Sequence, residues 1–277
     1  MIKIKKPLRK FFSLLGLVES AEALETRELA VKGDLEAQYQ LGLMYARGDD
    51  VRKNLEMAAA WCLKAAENGH AEAQCHMGLI YRLGVGVSMN GAEAVKWTRM
   101  SAEQGVAAAQ YSLGLMYSKG LDVPQDFIEC ERWYSLAAAG GFAEAQFKLA
   151  LMYISGQAKS VDSTYTLELL RKASGQGQVS ASIFLKALET SDPSSQCELG
   201  LMYMKGDGVA ADQSESASWT RKSAEQGFAK AQFHLGLMYS QGLGVKRDDY
   251  QAEKWTELAA KQGHPEAKAF LDVLRFH

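Results

Sequence analysis

Apolar and small side chains recur along most of this chain at helical spacing, and the pattern itself repeats. In one stretch Ala109, Leu113, Met116 and Tyr117 stand three and four residues apart or side by side, which places them on one face of a helix. The string Leu-Gly-Leu-Met-Tyr, or a close variant, occurs six times. Its centre falls at Gly42, Gly78, Gly114, Ala150, Gly200 and Gly236, in steps of 36, 36, 36, 50 and 36 residues. A Tyr follows each centre by three positions (Tyr45, Tyr81, Tyr117, Tyr153, Tyr203, Tyr239). A Gln precedes each by four (Gln38, Gln74, Gln110, Gln146, Gln196, Gln232). All five Trp residues, 61, 97, 133, 219 and 255, share one repeat position, with Leu169 in the remaining unit. Such a period marks a stack of small helical units, each burying its apolar face on its neighbours.

Every unit predicts two helices. In one copy the first covers Ala109–Lys119 and ends at Gly120, where a left-handed residue is wanted. The second covers Glu129–Ala139 around Trp133 and ends at Gly140-Gly141. A Gly closes each second helix: Gly33, Gly69, Gly105, Gly141, Gly177, Gly227 and Gly263. A Gly inside a helix costs about 1 kcal/mol relative to Ala. Its recurrence at the centre of the first helix therefore predicts close approach of the paired helix, with Ala150 marking the largest side chain that fits.

The 50-residue step breaks the rule. Val179–Leu188 aligns with a first helix through Ala181 and Leu185, but Lys186 stands at the Gly position and no Gly loop follows. Asp192-Pro193 interrupts the chain, and Ser195-Gln196 opens another first helix. Two repeats lacking one loop and one second helix account for the spacing. This predicts four repeats over 34–177, an extra unpaired helix and a kink over 178–192, and two repeats over 193–263. Residues 264–277 predict a capping helix in which polar Asp272 replaces the Gly.

Residues 1–33 admit two readings. Lys3, Lys5, Lys6, Arg9 and Lys10 precede the apolar run Phe11–Val18, and Ala21-Glu22-Ala23 has the form of a signal-peptide cleavage site. The apolar run is short, however, and Glu19 follows it at once. The rival is a capping segment, in which Leu14-Leu15-Gly16-Leu17 echoes the repeat and Leu24–Lys32 is a second helix with polar Glu25 at the Trp position. A peripheral membrane anchor is a third, smaller option. The cytoplasm is the expected compartment, and the periplasm or secretion follows if residues 1–23 are a signal peptide.

Composition narrows the function. A net charge of −2 over 277 residues gives no electrostatic footprint for nucleic acid. No run of 18 apolar residues exists, so no transmembrane span is expected. The loops Leu83-Gly-Val-Gly-Val87, Gly206-Asp-Gly-Val209 and Gly242-Leu-Gly-Val245 look like phosphate cradles. Such a cradle needs a preceding strand, and here a helix precedes, so they read as turns. His70 and His264 share one repeat position, as do His76 and His234, and distant repeats cannot share a metal; no metal site and no cofactor are expected. No nucleophile motif points to catalysis.

The motifs Ala-Glu-Ala-Gln-x-x-Leu-Gly-x-Met-Tyr and Ala-x-x-Trp-x-x-x-Ala-Ala-x-x-Gly, with a Gly-rich loop between them, resemble the Sel1-like repeat, a relative of the tetratricopeptide repeat. The resemblance covers roughly residues 34–277. It implies an all-α fold, a right-handed α/α superhelical solenoid of 36-residue hairpins, and a role in assembling protein complexes. Some secreted members of the family carry disulfides, and Cys62 and Cys75 flank one turn symmetrically. Cys197 shares the place of Cys75 without a matching partner, so buried free thiols are the alternative.

First helices line the inner, concave surface in related solenoids. The positions there that escape the repeat rule fall four and seven residues apart, on one face. They are Glu36, Gln40 and Arg47; Glu72, His76 and Leu83; Ala108, Ser112 and Lys119; Glu144, Lys148 and Ser155; Ser194, Glu198 and Lys205; Lys230, His234 and Gln241. Their mixed charge fits a protein or peptide partner, and an ordinary solvated face is the plain alternative. The expected function is a non-enzymatic interaction scaffold, monomeric and bacterial in style. An inhibitor or immunity-type protein that neutralises a toxic effector, and a hydrolase of the cysteine-rich Sel1-repeat type, are the alternatives.

Overall fold

The computed structural model describes residues 20–158 and 163–275. Among them lie 15 α-helices and no strand. The first unit, residues 1–149, holds α1 (Ala21–Val31), α2 (Leu35–Arg47), α3 (Leu55–Glu67), α4 (Ala71–Leu83), α5 (Gly91–Glu103), α6 (Ala107–Lys119) and α7 (Phe127–Ala139). Helix α8 (Ala143–Ile154) follows. The second unit, residues 150–277, holds α9 (Ser163–Gly175), α10 (Val179–Glu189), α11 (Pro193–Lys205), α12 (Gln213–Glu225), α13 (Ala229–Gln241), α14 (Asp249–Lys261) and α15 (Ala267–Arg275). Within each unit consecutive helices pack on one another, and the tightest pairs are the hairpins α2/α3, α4/α5, α6/α7, α11/α12 and α13/α14. The fold is an all-α repeat solenoid.

Local chemistry sets the helix ends. Gly48, Gly84, Gly120, Gly206 and Gly242 take left-handed backbone after the first helices, with φ between 66° and 84°. Asn54, Asn90, Asp126, Asp212 and Asp248 cap the second helices, each side chain accepting from backbone N–H groups of the first turn. The Gly-rich loops are turns that lean on the neighbouring hairpin. Gly86 lies against the Leu55 carbonyl and Gly244 against that of Gln213, leaving no room for a Cβ. Asp50 and Asp122 hold the same left-handed place in other repeats, at φ 58° and 59°.

The Gly at the centre of each first helix faces its paired helix. A Cβ on Gly42 would stand 2.6 Å from Cys62 Sγ, and one on Gly114 would stand 2.6 Å from Tyr134 Cδ1. Thr98, Thr220 and Thr256 fill the same place against Gly78, Gly200 and Gly236. Where the sequence has Ala150, the residue twenty positions on is Leu170, and both are fully buried.

The repeated Gln is buried and structural. Its amide Nε2 donates to the carbonyl of the penultimate residue of the preceding second helix. The distances are 3.1 Å for Gln38 to Ala30, 3.0 Å for Gln74 to Ala66, 3.1 Å for Gln110 to Ala102, 3.1 Å for Gln146 to Ala138 and 3.2 Å for Gln232 to Ala224. Each of these carbonyls also accepts from the Gly N–H three residues on, as in Gly69 to Ala66 at 3.0 Å. In three repeats a second Gln, the C-cap of a second helix, donates to the first. Gln104 reaches Gln74 at 2.6 Å, Gln226 reaches Gln196 at 2.7 Å and Gln262 reaches Gln232 at 2.7 Å. Asn68 occupies that cap next to Gln38, turns back to Lys64, and leaves Gln38 Oε1 buried without a partner.

The Tyr and Trp columns pack largely against the core clusters, several of them at the edge. All six Tyr are half-buried, with the hydroxyls of Tyr45, Tyr117 and Tyr239 each accepting from Arg27, Arg99 or Arg221 at 2.6 Å. Trp97 and Trp133 are buried, while Trp61, Trp219 and Trp255 are half-buried. A Lys or Arg lies over every Trp ring, from Lys222 at 3.9 Å from the centroid to Lys254 at 5.7 Å.

The helix expected over 178–192 forms as α10, has no second helix of its own, and packs against α9 before it and α11 after it. Ala181, Phe184 and Ala187 bury its face, and Arg171 pairs with Glu189, which stands at the Tyr position. The chain then turns through Ser191, at φ 52°, into α11, whose N-cap is Asp192 with Pro193 in the first turn. At the amino end Ser20 caps α1, and Glu25 is exposed as a cap requires. The readings made for residues 1–19 lie outside the described residues.

Cys62 and Cys75 face different layers. Cys62 packs with Ala65, Met77 and Trp97, and Cys75 packs against Ala102, Ala109 and Trp133. Burial pushes the thiols up, Cys62 and Cys197 to about 11 and Cys130 to about 12.

Three outcomes follow from this packing. Replacing Gly236 by Leu overfills the hairpin and should lower stability by about 1–3 kcal/mol in urea unfolding followed by circular dichroism. Replacing Asn68 by Gln supplies the missing donor to Gln38 and should raise stability by about 1 kcal/mol in the same measurement. Alkylation of Cys62 and Cys197 in the native protein should stay slow at pH 8 and accelerate only as pH rises toward 11, because the thiolate is the reactive form. Mass spectrometry after a short iodoacetamide pulse reads both this and the number of free thiols.

Candidate protein-binding face

The face that the repeat rule leaves free is the accessible one. Glu36, Gln40, Arg47, Glu72, Lys119, Glu144, Glu198, Lys205, Lys230 and Gln241 are exposed. His76, Ser112, Lys148 and His234 are half-buried. The repeated positions of the same helices, such as Leu41, Met77 and Leu113, are fully buried. The first helices thus carry a repeated, mostly buried side and a variable, mostly exposed side.

Charge on the variable side follows helix polarity. Glu36, Glu72 and Glu144 lie in first turns, where amide N–H groups favour anions. Arg47, Lys119 and Lys205 lie in last turns, where carbonyls favour cations. Between them stand the middle positions, Gln40, His76, Ser112, Lys148, Glu198 and His234.

The structure brings some of these residues together. Gln40 Nε2 donates to Glu36 Oε1 at 2.6 Å, and His70 Nε2 lies 3.0 Å from Glu36 Oε2. These two bonds hold the Glu36 carboxyl below the usual range. Because His70 Nδ1 accepts from the Ala73 amide at 3.2 Å, its proton sits on Nε2 and is given to Glu36. Arg47 lies beside Asp49 at 4.0 Å. Ser112 turns its hydroxyl onto the Ala108 carbonyl of its own helix, at 2.8 Å. Burial and then the charge of Arg47 depress His76, with Glu72 opposing. Burial and then Lys119 depress Lys148. His234 is depressed by burial first, then by Lys230, His264 and Lys205, with Glu266 opposing.

Behind this face runs an aromatic column that the sequence pattern did not single out. The residue after each repeated Gln packs on the residue that caps the next first helix. Tyr39 meets His70 at 4.7 Å between centroids, Tyr111 meets Phe142 at 5.2 Å, and Phe233 meets His264 at 4.5 Å. Cys75 with Val106 and Cys197 with Phe228 share a core in the same way. His70 is thus a stacked cap, whereas His264 is stacked with its Nδ1 buried and unpartnered. Among the described residues no group of three or more His, Cys, Asp and Glu side chains is placed to hold a metal ion. No described helix is long and apolar enough to cross a membrane.

The geometry can now be set beside known proteins. The Sel1 repeat model matches residues 35–70, 71–106, 107–142, 143–178, 193–228 and 229–264, which leaves all of α10 and the turn after it between matched repeats. No curated protein matches the chain. Among solved structures, the chain is similar to a protective antigen of uropathogenic Escherichia coli displaying an SLR fold, at 28% identity and TM-score 0.60. That match covers 91% of this chain but only 59% of the antigen's length. It is also similar to a Sel1 repeat protein from Oxalobacter formigenes, at 30% identity and TM-score 0.54, covering 97% of this chain and 75% of that one. An immunity protein from Pseudomonas aeruginosa aligns at 20% identity and TM-score 0.39 over 83% of this chain and 82% of its own, a likeness too low to carry an argument. The 36-residue register, the paired helices and six contiguous or near-contiguous matches agree: the chain belongs to the Sel1 repeat family.

Proposed function

We propose that this chain is a non-catalytic scaffold whose first-helix face binds a protein partner. One observation carries the reading. On the first helices most residues of the variable stripe are exposed and the rest half-buried, while repeated residues such as Leu41, Met77, Leu113 and Leu235 are fully buried. Packing accounts for the buried set. It leaves the exposed set free to vary, and that set lies on one face of each helix in register from repeat to repeat. Sel1 repeats commonly serve protein interaction, which supports the same reading. No observation favours the inhibitor or hydrolase alternatives over it.

Capture of the partner by the tagged chain from its native host tests the proposal and names the partner. Reversing the charges at Glu144 and Lys148 together should weaken that capture about tenfold, roughly 1.4 kcal/mol. The thermal midpoint should stay where it was, because neither side chain belongs to the hairpin core. Undiminished capture by a folded variant would remove this face from the interaction.

A further inference from the structure

Exposed apolar side chains collect along one edge of the first unit. Each loop there rests on the start of the preceding second helix. Gly86 lies against the Leu55 carbonyl at the start of α3, and Asp122 lies against Gly91 at the start of α5. Leu55, Met57, Met89, Leu121 and Ile128 follow one another along this edge, from α3 through two loops to α7, and all five are exposed. Met89 is 74% exposed and Ile128 79%. A run of large apolar side chains held in water marks a surface that meets something else. The second unit does not repeat it. There α12 starts with Gln213-Ser214-Glu215, between the exposed rings of Tyr165 and Tyr250.

A basic cavity opens at one end of this strip. It holds about 480 Å³ and is lined by Tyr45, Arg52, Lys53, Asn54 and Met57, so Met57 belongs to both. Among the described residues Arg52 and Lys53 make no ion pair and no hydrogen bond. The Tyr45 hydroxyl accepts from Arg27 at 2.6 Å, which leaves its own proton to give. The last repeat shows such cations neutralised. Lys246-Arg247 stands there at the place of Arg52-Lys53, the cap is Asp248, and Arg247 pairs with Asp249 at 3.1 Å. In the first repeat the cap is neutral Asn54 and Leu55 follows it. The matching loop residues Ser88-Met89, Pro124-Gln125 and Ala210-Ala211 carry no charge.

We infer that this edge is a second docking surface, apart from the first-helix face, and that it takes a polypeptide segment bearing a carboxylate next to apolar side chains. The carboxylate reaches Arg52 and Lys53, where the Tyr45 hydroxyl donates to it. The apolar side chains cover Met57, Met89 and Ile128. Charge chooses this occupant. Two unpaired cations at one cavity are completed by a single anion, and the rest of the strip asks only for apolar contact. An anionic bilayer fits the edge poorly. It would press many headgroups against Asp49, Asp50, Glu56 and Asp122, which are exposed on the same side. A short segment brings one carboxylate to the cavity and none to those four.

Fluorescence anisotropy on the full chain tests this with three peptides built on Leu-Ser repeats, each with a neutral dye at the amino end. One ends in an amidated Glu, one in Leu with a free carboxylate, and one in an amidated Lys. At least one of the two carboxylate peptides should bind roughly tenfold more tightly than the Lys peptide and weaken as salt is added. The tighter of the two tells a side-chain carboxylate from a terminal one. Arg52→Glu with Lys53→Glu should abolish the preference, and Met89→Ser with Ile128→Ser should weaken binding roughly tenfold. All four residues are exposed, and circular dichroism verifies the fold of both variants. Equal affinity for the three peptides, unchanged affinity in both variants, or no binding at all overturns the inference. Two other occupants are checked on the same variants. Sedimentation with phosphatidylglycerol vesicles that disappears with Met89→Ser and Ile128→Ser overturns it in favour of a membrane. A dimer in analytical ultracentrifugation that disappears with the same pair overturns it in favour of a second copy.

Discussion

The amide of one buried Gln holds each repeat to the next. A second helix ends with carbonyls whose helical donors are missing. The Gly that follows supplies one bond, as in Gly69 to Ala66 and Gly227 to Ala224, both at 3.0 Å. The Gln side chain adds a second from the first helix of the following repeat, as in Gln74 to Ala66 and Gln232 to Ala224. The buried Gln amide would otherwise lack an acceptor, at a cost of about 1–3 kcal/mol, so the bond ties one repeat to the next. Where a second Gln joins it, as Gln104 does to Gln74, the junction gains a link between two cap regions. Gln38 shows the incomplete version, because the Asn at the neighbouring cap is one methylene shorter.

The hairpin itself is held by absence of a side chain. Gly at the centre of the first helix lets the second helix approach until its Thr, Cys or Tyr would meet a Cβ. The second helix answers the space left, with Thr98, Thr220 and Thr256 in three pairs, Cys62 in one and Tyr134 in another. Gln, Gly and the loop turns thus fix the buried side of every first helix and leave its other side unconstrained. Variation collects there by default. A binding face on this scaffold needs no new fold, only a choice of exposed residues repeat by repeat.

The irregular step follows the same rules with parts removed. Helix α10 has lost its Gly and its second helix, yet it stays buried by packing on both neighbours. Its Tyr position carries Glu189, and the Arg that elsewhere donates to the Tyr hydroxyl now makes an ion pair with it. A nearest-neighbour stack tolerates this because each helix answers only to those beside it.

The sequence alone determined the period, the paired helices, their Gly ends and the face left variable, because each is a local consequence of spacing and backbone geometry. It placed a helix at Val179–Leu188 and a break at Asp192-Pro193 for the same reason. It was silent on why the Gln recurs, since a buried polar residue is explained only by the partner it meets. It could not show that Arg and Lys side chains cover the outer edges of the Tyr and Trp columns. It read Cys62 and Cys75 as symmetric about a turn, while the packing sends them into different layers. His70 and His264 became stacked on Tyr39 and Phe233 only once successive first helices lay side by side. Those juxtapositions join residues about 30 positions apart, beyond the reach of any single helix, and the stacking of the repeats creates them.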